Sequence, residues 1–177
     1  MIVCSFTQDY FYKCQKKNGD EMKLPNGITG FYSSKNNRPP KVDGKQFRQV
    51  CFSNTTRFGG KVLSFYEPEY PTNFYNVDVK VYNKQFHILL NEYYPYLAFA
   101  SVVEFENIKF IDVPDLSREF SSFYKVLSVN ELHKPLVIKQ NSEKILQNDN
   151  DLNSAELEQV AFWKPERIGE VIFNYWD

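Results

Sequence analysis

Between Val77 and Leu90 the chain alternates apolar and polar residues. Val77, Val79 and Val81 are interleaved with Asp78, Lys80 and Tyr82, and Phe86, Ile88 and Leu90 continue the period of two that marks a half-buried strand. If Asn83-Lys84 forms a two-residue turn, Val81 faces Phe86, Val79 faces Ile88 and Val77 faces Leu90, so all six apolar side chains share one face of a hairpin. Two further strands are predicted, Tyr96 to Phe105 and Ile108 to Val113. Pro114-Asp115 then announces a helix with Asp115 as N-cap, and Leu116, Phe120, Phe123 and Leu127 recur at helical spacing to face the sheet. Pro135 closes that unit, and Leu136 to Lys139 reads as a short strand.

Residues 140–153 are rich in Asn and Asp and read as loose. A helix follows, capped by Asn153 or Ser154, with Glu156 and Glu158 at its positive end. Pro165 opens a second helix, on which Ile168, Val171, Ile172 and Tyr175 form an apolar stripe. The N-terminal third reads as strands and turns. Asn18-Gly19 and Asp43-Gly44 are hairpin signals, Asn26-Gly27 marks a turn, Ser33 to Lys41 a polar loop, and Gln46 to Phe52 a strand. Strands precede helices, which predicts an α+β fold. The expected architecture is one domain over 1–177, an antiparallel or mixed sheet with two or three helices on one face, the C-terminal helix docked by its aromatics.

Composition adds little chemistry. Aromatics reach 17%, but 16 Asn against 4 Ala point to an AT-rich genome as the source of much of that excess. The first residues lack a basic leader segment and no apolar run spans a bilayer, so a soluble, cytoplasmic protein with no membrane contact is expected. Cys4, Cys14 and Cys51 have no metal-ligand spacing, which favours buried free thiols over disulfides or zinc, and no cofactor is expected. Net charge is −1 but unevenly spread, with +7 over residues 1–61, −3 over 62–139 and −5 over 140–177.

Few constellations suggest catalysis. A Cys51–His87–Asp78 triad can be written, which would suit a small hydrolase using His87. Glu67 and Glu69, or Glu104 and Glu106, could pair as acid and base, although solvent-facing strand positions explain them more simply. Gly27-Ile28-Thr29-Gly30 lacks the helix and Lys-Ser/Thr of a phosphate loop. Arg57-Phe58-Gly59-Gly60-Lys61 could form a nest for an anion, although a bulge or loop between strands is the expected reading. The basic N-terminal third carries Lys13, Lys16, Lys17, Lys23, Lys35, Arg38, Lys41, Lys45, Arg48, Arg57 and Lys61 beside Phe11, Tyr12, Phe31 and Tyr32, the ingredients of single-strand nucleic-acid binding, but the pI is near 6.2 and no RNP-like motif appears, so a solvated face is expected rather than a nucleic-acid partner.

The closing segment is the most distinctive. Trp163-Lys164-Pro165 runs on to Asn174-Tyr175-Trp176-Asp177, with both tryptophans in the last fifteen residues. With the lone aromatic-rich α+β build, it resembles the small immunity proteins that bacteria make against polymorphic toxins. That resemblance implies a non-enzymatic inhibitor acting by direct binding. On this reading Asp149, Asp151, Glu156, Trp163 and Trp176 are the candidate partner contacts, the acidic ones steering the chain toward a basic toxin domain.

Overall fold

The computed structural model describes residues 22–34, 38–105, 107–140, 146–148 and 150–177, so Asn18-Gly19 lies outside the described residues. The first helix, α1 (Gly44–Arg57), stands where a strand over Gln46 to Phe52 was expected. Asp43 is the reason. Its Oδ1 accepts from the amides of Lys45 at 2.9 Å and Gln46 at 3.1 Å, which makes the Asp43-Gly44 pair a helix cap rather than a hairpin turn. Phe47, Val50, Cys51 and Asn54 then fall at helical spacing on the buried face. The helix stops at Arg57-Phe58-Gly59-Gly60-Lys61. Gly59 takes φ 67°, and the Gly59 and Gly60 amides donate to Thr56 O and Thr55 O, so this stretch spends its N–H groups on the helix end rather than on an anion nest.

The chain passes directly into β1 (Lys61–Tyr66), then β2 (Phe74–Val81), β3 (Lys84–Asn91), β4 (Tyr96–Glu104) and β5 (Asn107–Ile111), an antiparallel meander in sequence order. The central hairpin is present, with its turn one residue earlier than expected. Tyr82 and Asn83 take φ 50° and 63°, and the register pairs Val81 with Lys84, Val79 with Phe86 and Val77 with Ile88. Relative to the expected register β3 slides by two residues. An even slip preserves side-chain parity, so the six apolar residues still share one face.

That face packs on α1 and on α2 (Pro114–Phe120). In α2, Val113 is the N-cap and Pro114 the first helical residue; Asp115 lies in the first turn without capping. The helix ends at Phe120, so Phe123 is exposed and Leu127 crosses to the other side of the sheet after β6 (Lys125–Val126), which pairs parallel with β4. The Arg57–Glu119 pair, at 2.6 Å, ties α1 to α2.

The opposite face is also covered, which corrects the one-sided arrangement. Leu89, Ala98 and Ala100 bury there against α3 (Val129–Leu132), α4 (Ser154–Trp163) and α5 (Ile168–Ile172), together with Leu24 and Ile28 from the N-terminal turn. The physical reason lies in the two central strands. Ile88-Leu89-Leu90 and Leu97-Ala98-Phe99-Ala100 are continuous apolar runs, the mark of strands buried on both sides. A small ladder, β7 (Ile138–Gln140) with β8 (Leu146–Asn148), lies apart from the main sheet. The terminal helix α5 begins three residues after Pro165, and Tyr175 lies past its end. No helix among the described residues is long and apolar enough to cross a membrane.

Phe99 joins β4 to both layers of the first core, with its ring 6.1 Å from Phe86 and 5.9 Å from Phe120. Phe99→Ala should therefore cost about 3–5 kcal/mol in chemical denaturation. A loss below about 1 kcal/mol would mean that this core is not packed as described.

Candidate functional site

The C-terminal third is held to the sheet by polar groups in the core. Asn153 caps α4, and Glu156 completes the capping box from the third helical position. Glu156 is fully buried, at 0% exposure. Its carboxylate accepts from the amides of Gly27 at 2.9 Å and Thr29 at 3.0 Å, from Thr29 Oγ1 at 2.8 Å, and from Asn153 N and Nδ2 at 3.0 and 2.9 Å. Gly27-Ile28-Thr29-Gly30 thus is an anion cradle, and its anion is a side chain of the same molecule. Gly27 at φ 85° and Gly30 at φ 90° supply the left-handed backbone that turns these amides inward, and a Cβ on Gly30 would lie 2.8 Å from the Tyr93 ring.

Three buried asparagines extend the tie. Asn73 and Asn91 sit at facing ends of β2 and β3, and each Nδ2 donates to both Ile28 O and Ile172 O, at 2.7–3.1 Å. Ile172 O is a helix-end carbonyl that α5 cannot satisfy itself. Asn174 donates its amide to Asn73 Oδ1 and its Nδ2 to Val171 O, and its Oδ1 accepts from Trp176 N. The N-terminal turn, the sheet and the C-terminal segment therefore meet in one hydrogen-bonded knot.

Beside this knot the closing segment walls a cleft of about 460 Å³. Phe110, Phe173, Tyr175 and both tryptophans line it, with Lys164, Arg167, Glu166 and Glu170 among the charged groups. The loop before α5 is pinned from both sides. Leu136 N donates to Glu166 O and Ile168 N to Lys134 O, while Glu170 Oε2 accepts from the Glu166 and Arg167 amides at 2.7 and 3.3 Å. Gly169 allows this approach, since a Cβ there would lie 2.8 Å from the Phe110 ring. Two exposed aromatics adjoin the lining. Phe162 is 73% exposed with its ring 5.3 Å from Trp163, and Phe105 is 61% exposed with its ring 5.4 Å from Tyr175.

The expected contact residues scatter accordingly. Trp163 is half-buried in the cleft wall with Nε1 donating to Gln159. Trp176 lines the cleft but belongs mainly to the core. Asp151 is exposed, Asp149 lies outside the described residues, and Glu156 is internal, so it cannot serve as a surface contact. Phe162 and Phe105 were missed, because a lone exposed aromatic at a helix or strand end has no periodic signature.

The catalytic alternatives come apart. Cys51 is buried in the α1–α2 core, where burial pushes its thiol far above the ordinary value. His87 points to the other face, with Nδ1 3.0 Å from Asn76 Oδ1. The triad therefore spans the sheet and cannot assemble. Glu106, Lys13, Lys16, Lys17, Lys35, Phe11, Tyr12, Cys4 and Cys14 lie outside the described residues. Of the other N-terminal cations, Lys41 pairs with Glu92, Arg57 with Glu119, and Arg48 stacks 4.7 Å over Phe65. Among the described residues no cluster of His, Cys, Asp and Glu could hold a metal.

No family model matches the chain, and neither a curated protein nor a solved structure matches it significantly. The molecule is defined by its build, an α+β protein whose antiparallel sheet carries helices on both faces and whose C-terminal segment frames an aromatic cleft.

Burial holds His87 below the ordinary imidazole range, with Asp78 pulling weakly the other way. The unfolded chain then binds the proton more readily, so His87's contribution is fully present above about pH 6.5 and is lost as pH falls below it. His87→Gln should flatten the fall in stability between about pH 7.5 and 5.5. An unchanged slope in urea titrations across that range would contradict the assignment.

Proposed function

We propose that the chain is a non-enzymatic protein-binding module, acting as bacterial immunity proteins do, by direct stoichiometric inhibition of a partner. One observation carries the reading. Phe162 and Phe105 are large, exposed aromatics, each packed against an aromatic that lines the cleft. Large exposed aromatics beside a framed hollow are the anatomy of an interface hot spot, where a few rings supply most of the binding energy. Charge supports it less. With Glu156 internal, the acidic groups that would meet a basic toxin domain in the described C-terminal third are Asp151 and surface glutamates such as Glu158 and Glu166. The aromatic surface, rather than the charge, therefore leads.

The test uses the purified chain as bait in an extract of its native organism, with mass spectrometry of what stays bound and light scattering of the purified complex. A single partner in fixed stoichiometry is expected. Trp163→Ala and Phe162→Ala should each weaken that complex by about 2 kcal/mol, roughly thirtyfold, without unfolding the chain. A folded double variant that binds unchanged would remove the cleft from the interface, and a bait that retains no partner would overturn the reading.

A further inference from the structure

The N-terminal turn contains a reactive pair, Asn26-Gly27. An asparagine side chain can be attacked by the next backbone nitrogen, and glycine, which has no Cβ, leaves that approach open. In the folded chain the attacking nitrogen is occupied. Gly27 is buried at φ 85°, in a turn closed by Ile28 N donating to Pro25 O at 3.3 Å, and its own N–H donates to Glu156 Oε2 at 2.9 Å. The target side chain is held as well. Asn26 Oδ1 accepts from Asn153 Nδ2 at 2.8 Å, and that same Nδ2 donates to Glu156 Oε2 at 2.9 Å. Glu156 also denies the nitrogen its reactive form. Attack requires the amide to lose its proton, and beside a carboxylate at 0% exposure this would set two negative charges within hydrogen-bonding distance in a low-dielectric interior.

From this juxtaposition we infer that Asn26 is a deamidation site gated by Glu156, closed while the Gly27 amide is bound and open whenever the turn leaves the carboxylate. In the opened turn hydroxide takes the proton of Gly27 N, and the nitrogen attacks Asn26 Cγ. The new N–Cγ bond closes a succinimide ring, the Cγ–Nδ2 bond breaks, and Nδ2 takes a proton from water and departs as ammonia. Water then opens the ring at either carbonyl, which leaves aspartate or isoaspartate. Neither product reseats. Aspartate brings a second carboxylate to the Asn153 amide that already serves Glu156, and like charges on one donor repel. Isoaspartate lengthens the backbone in a turn so close-packed that a Cβ on Gly27 would lie 2.9 Å from Pro39 Cγ. Ile28 O, clamped together with Ile172 O by Asn73 and Asn91, moves with the turn. Deamidation therefore loosens, in one direction only, the knot that frames the cleft.

The test holds the full chain at mildly alkaline pH, folded or in guanidinium chloride, and then digests it. Mass spectrometry reads the Asn26 peptide for the gain of an amide becoming an acid, and chromatography separates aspartate from isoaspartate. Conversion in the folded chain should run roughly tenfold or more slower than in denaturant, because it waits on opening of the turn. Glu156→Gln should raise the folded-state rate roughly tenfold, whereas Phe99→Leu, which weakens the opposite core, should leave it within about twofold. Asn26→Asp stands in for the product, and its Gly27 and Thr29 amides should exchange faster than those of the unmodified chain. A folded chain that converts as fast as the denatured one overturns the inference, and this comparison decides even where Glu156→Gln does not fold. So does a Glu156→Gln rate equal to that of the unmodified chain, or a Phe99→Leu rate that rises as far as that of Glu156→Gln. Unchanged exchange in Asn26→Asp overturns the one-way loosening.

Discussion

A fully buried carboxylate, Glu156, with no counter-cation among the described residues, is what the rest of this fold is arranged around. Taking an ion out of water costs several kcal/mol unless dipoles replace its hydration, and Glu156 receives five donors from three residues. Those donors have to be delivered. Gly27 and Thr29 bring theirs only when residues 26–30 fold into their turn, and Asn153 only when it caps α4. The burial of one side chain thus couples the start of the described chain to a helix more than 120 residues later.

The asparagines carry that coupling to the sheet and to the cleft. Asn73 and Asn91 clamp Ile28 O and Ile172 O between two strand ends, and Asn174 returns the chain to Asn73. Satisfying buried backbone carbonyls with fixed side-chain amides makes the arrangement specific as well as stable, since a shifted segment would leave several polar groups unpaired. The segment from Ile168 to Trp176 is accordingly held on both sides, by this knot and by the Phe110–Gly169 approach. A cleft framed by such a segment is preorganised, which lowers the entropic cost of binding.

The sequence made some of this legible and hid the rest for identifiable reasons. The β2–β3 face was readable because alternation over Val77 to Leu90 has one interpretation, and it tolerated a misplaced turn because a two-residue slip keeps parity. The helix α1 was misread because Asp43-Gly44 serves equally as a turn and as a cap, and only the next amides decide. The second core was hidden because apolar runs such as Ile88-Leu89-Leu90 have no period to read. The place of Glu156 at the helix start was legible, but its capping-box bond and its burial were not, since its main partners lie at Gly27 and Thr29. At the cleft, Trp163 and Trp176 stand out in the sequence and both line the hollow, whereas Phe105 reaches it only through Tyr175.

The most direct test of this account is amide hydrogen exchange on Glu156→Gln. The substitution keeps shape and removes charge, turning one acceptor oxygen into a donor that faces other donors. The account predicts that the Gly27, Thr29 and Asn153 amides lose protection, that the loss spreads to Asn174 and Trp176, that β3 and β4 stay protected, and that global stability falls by about 1–3 kcal/mol. Unchanged protection at Gly27 and Thr29, with stability preserved, would contradict the claim that the buried carboxylate holds the two ends of the fold together.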